Sequence, residues 1–448
     1  MDSWYTKLEQ SLSFQLINEI ATRKNDPQWM KEKRLAALEY FERKALPEWG
    51  PNLSELSFAD LCYYLQPLEQ PLSNWKDLPT SIQDTFNALG IPQAERDWLA
   101  GVGAQVESTL VYQQLQEELR SKGVIFCDIT QAMQEHEALI EEYFGSVIPF
   151  DDNKFAALNT AVWSGGSFVY VPAGVHIEKP LQAYFRINQE RMGQFERTLI
   201  IAQEGSSVHY VEGCSAPLYR THSLHSAVVE IIAHKNAQVK YTTIQNWSKN
   251  IFNLVTKRAL ARSGATVSWI DGNFGSKVTM KYPCIVLAGE RARGEIISLS
   301  VASHGQELDA GGKIIHVAPN TTSQITSKSL CSGKSVVTYR GLVKIGKKAA
   351  NAQALVTCDT LFLDNKAISN TIPVMHVQAE NASSAHEASI SMITPEQLFY
   401  LQSRGFTVPQ AHAFLINGFI ESFVQLLPME YAVEINNLIQ HDMEGSVG

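Results

Sequence analysis

Two stretches of the 448-residue chain carry residue types that do sulfur and metal chemistry. In VEGCSAP, Val211 to Pro217, Cys214 stands between a glycine and a Ser-Ala-Pro turn, directly after the alternating run SSVHYV. A turn can hold a thiol out as a nucleophile for sulfur chemistry. The second stretch pairs Cys358 in VTCDTLFL with Glu387 in SSAHEASI, 29 residues downstream. On adjacent coils of a solenoid these two would share a patch, because stacked strands lie about 4.8 Å apart. Thiolate is the natural ligand of iron and of iron-sulfur clusters, and carboxylate or imidazole can complete a labile shell. His386 and Glu387 are neighbours, so on a regular strand they point to opposite faces and only one can join Cys358. The competing reading is structural, since free cysteine is among the most buried residue types.

Further polar residues alternate along strand-like runs. In LQAYFRIN, Gln182, Tyr184, Arg186 and Asn188 share a face, and in YTTIQNW, Gln245 and Trp247 share another. Pattern alone favours a solvated outer face for them; a polar lining is the sharper alternative. Lys257, in LVTKRAL, reads as an ordinary exposed lysine. Two apparent motifs fail. CSGKS, Cys331 to Ser335, imitates the end of a phosphate-binding loop, but Lys328 stands where its first glycine belongs. HEASI, from His386, begins like a zinc-protease helix, but Ile390 replaces the second histidine.

The elements that would position these residues follow from a change of period. From about Ser3 to Gly145 apolar residues recur at helical spacing, as in WMKEKRLAALEYFERKAL and ESTLVYQQLQEELRSKG, which predicts an N-terminal helical region over 1–150. Over 151–392 short β-like runs such as TLIIA, VVEIIA and CIVLAG alternate with Gly, Asn, Ser and Pro. Within them GSSVHY, NAQVKY and GATVSW start at Gly205, Asn236 and Gly264, with gaps of 31 and 28, and GSKVTM follows at Gly275 after an irregular gap of 11. Such a repeat fits a parallel β-helix, each coil adding strands to long parallel sheets. A β-sandwich would show more hairpin signals, and Asp271-Gly272 is the single one here. Over 393–448 helices return. Thr394-Pro395-Glu396-Gln397 reads as N-cap, N1 proline and capping-box glutamine, ahead of AFLINGFIESFVQLL and MEYAVEINNLIQHDM.

Composition bounds the function. With 45% hydrophobic and 19% charged residues the chain is globular, and its net charge of -9 makes nucleic acid a poor partner. No run reaches bilayer-spanning length and the N-terminal stretch lacks signal-peptide features, so a cytoplasmic protein without a membrane partner is expected. Six scattered cysteines fit reduced thiols rather than a disulfide framework.

NTAVWSGGSFVYVPAGVHIEKPLQAYFRIN, MGQFERTLIIAQEGSSVHYVEGCSAP, GGKIIHVAPN, VVTYRGLVKI, EQLFYLQSRG and the N-terminal WGPNLSEL and WLAGVGAQ together resemble the SufB/SufD family of iron-sulfur cluster assembly proteins of the SUF system. Within the family, SGGSF and VEGCSAP are similar to the SufB branch. The resemblance implies a right-handed parallel β-helix core flanked by N-terminal and C-terminal α-helical regions, the latter docking a SufC-type ABC ATPase. It implies a scaffold, with ATP hydrolysis and cysteine desulfuration left to partners: SufC, a SufD-type paralogue or a second copy, and a cysteine desulfurase with its sulfur relay protein. By the same resemblance Cys214 accepts persulfide sulfur, Arg186, Asn188, Gln245, Trp247 and Lys257 line its path, and Cys358, Glu387 and His386 hold a nascent, labile iron-sulfur cluster. A reduced flavin belongs to the family picture as well. The chain departs from it after Cys358, where Ala367 and Asn370 replace a family-typical cysteine and histidine. Two other readings stay open: a polysaccharide-cleaving β-helix, which would be secreted and carboxylate-rich in its groove, and a SufD-like solenoid without sulfur chemistry.

Overall fold

The computed structural model describes residues 5–7, 11–67, 101–106, 109–115, 117–186, 192–215 and 221–427. Its core is a parallel β-solenoid of about 7 turns, with helices before and after it. One sheet of 11 strands takes β5 (Ile125–Asp128), β6 (Ser167–Val171), β8 (Gly193–Ala202), β10 (Ser223–Ala233), β12 (Ile251–Ala261), β14 (Val278–Lys281), β15 (Cys284–Leu287), β17 (Glu307–Ala310), β18 (Lys313–His316), β20 (Val336–Ile345) and β22 (Ile368–Val377). The other, of 10 strands, takes β3 (Gly101–Val106), β4 (Thr109–Leu115), β7 (Leu181–Arg186), β9 (Ser207–Ser215), β11 (Gln238–Trp247), β13 (Thr266–Gly275), β16 (Arg293–Ala302), β19 (Thr322–Cys331), β21 (Gln353–Phe362) and β23 (Ser383–Met392). A separate antiparallel pair joins β1 (Tyr5–Lys7) to β2 (Leu65–Pro67).

The expected repeat is the coil. Ser207, Gln238 and Thr266 are register partners across β9, β11 and β13, which reproduces the 31- and 28-residue gaps. A backbone corner recurs with it: Gly174, Gly205, Asn236, Gly264, Arg291, Asn320, Asn351 and Asn381 all have φ between 57° and 70°. Glycine and asparagine are the residues that tolerate this left-handed conformation, which explains why Gly and Asn punctuate the runs. The irregular gap of 11 has a different cause. GSKVTM crosses to the opposite sheet, where Val278 opens β14 in register with Phe252 of β12, so it belongs to a coil already counted. Asp271-Gly272 is not a turn either; both residues lie inside β13.

Two parallel sheets enclose an interior filled by stacked side chains. Val208, Val239 and Val267 stack on one level and Tyr210, Tyr241 and Trp269 on the next, with ring centroids 5.1 Å and 4.9 Å apart. One expected helix is replaced. In ESTLVYQQLQEELRSKG, Thr109–Leu115 forms β4, antiparallel to β3, and only Glu117–Ser121 is helical (α3, after α1 Phe14–Arg23 and α2 Gln28–Arg43). β3 extends the parallel sheet beside β7, and the β-branched and aromatic residues of TLVYQQ pair on it in place of forming a helix.

Helices cover the outer faces. α4 (Ile129–Glu135), α5 (Glu137–Tyr143) and the buried α6 (Lys154–Val162) pack with α1 and α2 on the 11-stranded sheet. On the other sheet, Ile416, Ile420 and Phe423 of α8 (Val408–Val424) pack against Val211, Ile244, Ile270 and Leu299. The capping box of Thr394 and Gln397 opens α7 (Pro395–Ser403) as expected, and Thr407 with Gln410 repeats it at α8. The expected final helix, MEYAVEINNLIQHDM, lies outside the described residues. No helix among the described residues is long and apolar enough to cross a membrane.

Candidate functional site

Strand β9 alternates Val208, Tyr210, Glu212 and Cys214 inward. The strand continues to Ser215, so the sulfur points into the solenoid and Cys214 is 3% exposed. The expected display on an open turn is therefore replaced by enclosure. The thiol donates to Glu212 Oε1 at 3.6 Å. Glu212 also accepts from Thr243 Oγ1 at 3.2 Å and from the Tyr241 hydroxyl.

The 11-stranded sheet supplies the opposite wall. Lys257 and Lys281 place Nζ 3.3 Å and 3.4 Å from the same oxygen, Asp271 Oδ1. Lys257 also lies over the Tyr241 ring at 4.7 Å, and Lys281 donates to Gln245 Oε1 at 3.1 Å. Asn253 Nδ2 donates to the same Gln245 oxygen at 2.8 Å, and Asn253 Oδ1 meets His225 Nδ1 at 2.8 Å. His225 Nε2 is 3.3 Å from Glu196 Oε2, and its ring packs on Trp247 at 4.7 Å. All these side chains are at most 3% exposed.

Such crowding of charge in a dry interior is costly unless the charges pair. Burial pushes the Cys214 thiol well above its usual range, and Glu212 and Glu196 push it further, against Lys257 and Lys281. Burial and Glu212 raise Glu196. Burial alone would also raise Asp271, but its two lysines override this and hold it below the usual carboxylate value. Burial lowers Lys281 to about 8 and His225 to about 4, so the imidazole is neutral. At rest the thiol is protonated and donates to Glu212.

Register connects this site to the second thiol. Glu212, Thr243, Asp271, Ser298, Ser327 and Cys358 are successive partners along one sheet, and all are buried. Beside them runs a second buried row of Cys214, Gln245, Asn273, Ser300, Ser329 and Thr360. Five steps of about 4.8 Å give a polar path of roughly 24 Å inside the solenoid.

At its far end Cys358 meets His386, not Glu387. The last coil is 30 residues long, Gln353 pairing with Ser383, so the 29-residue offset puts Glu387 opposite Thr357. Alternation then turns Glu387 to the other face, where it is exposed. His386 Nε2 lies 3.5 Å from Cys358 Sγ, and burial pushes that thiol up to about 12.

Gln245, Trp247 and Lys257, whose pattern favoured a solvated face, are thus inside; Lys257 is 1% exposed. Arg186 ends β7 in register with Ser215, with its side chain outside the description, as is the whole of Asn188. Sequence reasoning missed Glu196, Glu212, His225, Asn253, Asp271 and Lys281. Glu212 had a signal, being two residues before Cys214 on an alternating strand. The others are set by coil stacking between sheets and had none.

The interior of the parallel solenoid thus joins two buried thiols through two rows of buried polar side chains. Comparison with known proteins gives the family. Residues 185–419 match the model described as SUF system FeS cluster assembly, SufBD core domain, and residues 10–183 match the SufBD protein N-terminal region. An iron-sulfur cluster assembly SufBD family protein of Staphylococcus aureus (strain USA300) is 55% identical over 440 residues, covering 98% of this chain and 95% of the relative. One of Staphylococcus epidermidis (strain ATCC 12228 / FDA PCI 1200) is also 55% identical over 440 residues. The chain belongs to the SufBD family of iron-sulfur cluster assembly proteins.

Proposed function

We propose that the chain is the SufB-type scaffold of a SUF assembly: Cys214 attacks the outer sulfur of a partner's persulfide and becomes the persulfide as the partner's thiol leaves, two electrons from the reduced flavin of the complex release that sulfur as sulfide, which moves along the interior, and a nascent cluster is built at Cys358. The observation that carries this reading is the pair of buried polar rows joining the two thiols. A solenoid serving only as a partner's support would be expected to fill those positions with aliphatic residues, which pack better and leave nothing to satisfy. Gln245, Lys257 and Lys281 offer donors and positive charge to an anionic sulfur in transit.

The chain acts as a scaffold and not as an enzyme. ATP hydrolysis falls to a SufC-type ATPase docked on the C-terminal helical region, where Phe399, Tyr400 and Phe414 are exposed. Sulfur comes from a cysteine desulfurase and its relay protein. The last coil carries exposed Ile368, Val377, Ile390 and Met392, which suits a SufD-type paralogue or a second copy completing the ligand shell of Cys358 and His386. A reduced flavin in the complex is part of the same reading as electron donor.

The test is iron and acid-labile sulfide content after anaerobic co-expression with the SUF partners. Wild type carries both, and Cys214→Ser and Cys358→Ser carry neither while the complex still assembles. Equal content in all three would leave the SufD-like reading, a support without sulfur chemistry.

A further inference from the structure

Glu196, Cys214 and His225 each bring one ligand atom within 4.8 Å of the others, and all three side chains are buried. Neither the path along the interior nor sulfur acceptance accounts for the carboxylate and the imidazole, which lie on the opposite sheet from the thiol.

The hydrogen bonds fix which way the imidazole faces. A lysine ammonium only donates, so the Gln245 atom that Lys281 contacts is its oxygen. That oxygen accepts from Asn253, whose contacting atom is therefore its NH2. The other end of the Asn253 amide, its oxygen, then faces His225 and accepts from Nδ1–H at 2.8 Å. Nε2, the ring's other nitrogen, faces an oxygen of Glu196 3.3 Å away. The second Glu196 oxygen, Oε1, is buried and has no hydrogen-bond partner among the described residues.

With Nδ1 donating to Asn253, only a proton carried by Glu196 or a metal cation can join Nε2 to that oxygen, and the Cys214 sulfur within 4.8 Å of both favours the cation. Two ligand bonds of about 2.0–2.1 Å at a tetrahedral angle place N and O about 3.3 Å apart, which is the separation found here. An imidazole fixed by donating its other N–H to a carbonyl oxygen is the usual outer support of a metal-bound histidine.

We propose that Glu196, Cys214 and His225 form a binding site for a single divalent first-row metal ion inside the solenoid. One thiolate, one imidazole and one carboxylate make a borderline set suited to Zn2+, Co2+ or Fe2+. Three protein ligands leave a fourth position open for an exchangeable ligand. Asn253 is a positioning residue that orients His225. That the ion in use is ferrous iron, held beside the incoming sulfur, rests on the assembly reading above; metal binding itself does not.

The test is anaerobic titration of the full chain with Co2+ alone. Cys358→Ser serves as the parent, because it removes the thiol at the edge of the solenoid; it takes up one equivalent with a thiolate-to-cobalt charge-transfer band and tetrahedral visible bands. Adding Cys214→Ser to this parent abolishes the charge-transfer band, and adding Glu196→Gln or His225→Asn weakens binding at least tenfold. X-ray absorption of the zinc-loaded wild type, which needs no variant to fold, shows one sulfur at about 2.3 Å and the remainder nitrogen or oxygen. Absence of sulfur from that shell, or a charge-transfer band that survives when Cys214→Ser is combined with Cys358→Ser, overturns the site. Persulfide labelling of Cys214 is scored separately. A cobalt site of this signature in a chain that never loads sulfur supports the metal site and removes the assembly reading alone.

Discussion

The two thiols occupy opposite kinds of place in one solenoid. Cys214 has coils on both sides, β7 and β11, and shares its interior with three carboxylates and two lysines. Cys358 is one coil from the end, with an imidazole as its partner and serines behind it, and the coil beyond exposes apolar residues. The difference separates two tasks. An enclosed site can hold charge only by pairing it internally, so it suits chemistry hidden from water. A site at an open edge has ligand positions left for a docked surface to complete.

The largest expected effect concerns reactivity. A thiol held near 12 is about 0.01% thiolate at pH 8, against roughly a tenth for an unfolded thiol at about 9, so alkylation of Cys358 is slowed about 10³-fold relative to the unfolded chain. Cys214, raised by burial and then by Glu212 and Glu196 and enclosed by coils on both sides, is the less accessible of the two and labels last. Mass-spectrometric labelling rates check the order, and fast labelling of Cys214 would break the comparison. The same shift makes stability pH-dependent. Its contribution from Cys358 is complete below the unfolded value of about 9 and is lost as pH rises towards about 12, at up to about 1.4 kcal/mol per unit.

Next comes Asp271→Ala, which leaves Lys257 and Lys281 buried without a counter-charge. A destabilisation of about 3–5 kcal/mol is expected in denaturant unfolding. Ser298→Leu, midway along the path, overfills the interior at a cost of about 1–3 kcal/mol. In the folded complex it leaves sulfur loading at Cys214 intact and stops delivery to Cys358. The smallest effect is that of Glu387→Ala, which removes an exposed side chain facing away from Cys358 and changes chain stability by less than about 0.5 kcal/mol. His386→Ala, by contrast, removes the contact at 3.5 Å and should change the pH profile of Cys358 labelling.

How far the sequence carried the reading follows from which contacts are local. Coil spacing was legible because each coil needs a left-handed corner, and Gly205, Asn236 and Gly264 mark it. Period-two alternation was legible too, and it allowed only one of His386 and Glu387 to join Cys358. Which of the two required the length of the last coil, since one residue of register exchanges the faces. Cys214 was misjudged because a Gly-Cys-Ser-Ala-Pro run resembles a turn, while β9 in fact continues to Ser215 between two strands that hold it. Lys257 looked like a surface lysine because its counter-ion, Asp271, belongs to the other sheet and itself looked like part of a hairpin turn.

The account depends most on sulfur travelling from the enclosed thiol to the edge one. The direct measurement loads the assembled complex with labelled sulfur from the cysteine desulfurase and locates the label on each cysteine with time. The path predicts label first in the Cys214 persulfide and then in acid-labile sulfide held at Cys358, label trapped on Cys214 in Cys358→Ser, and no label at Cys358 in Cys214→Ser. Label reaching Cys358 at the wild-type rate in Cys214→Ser would contradict it.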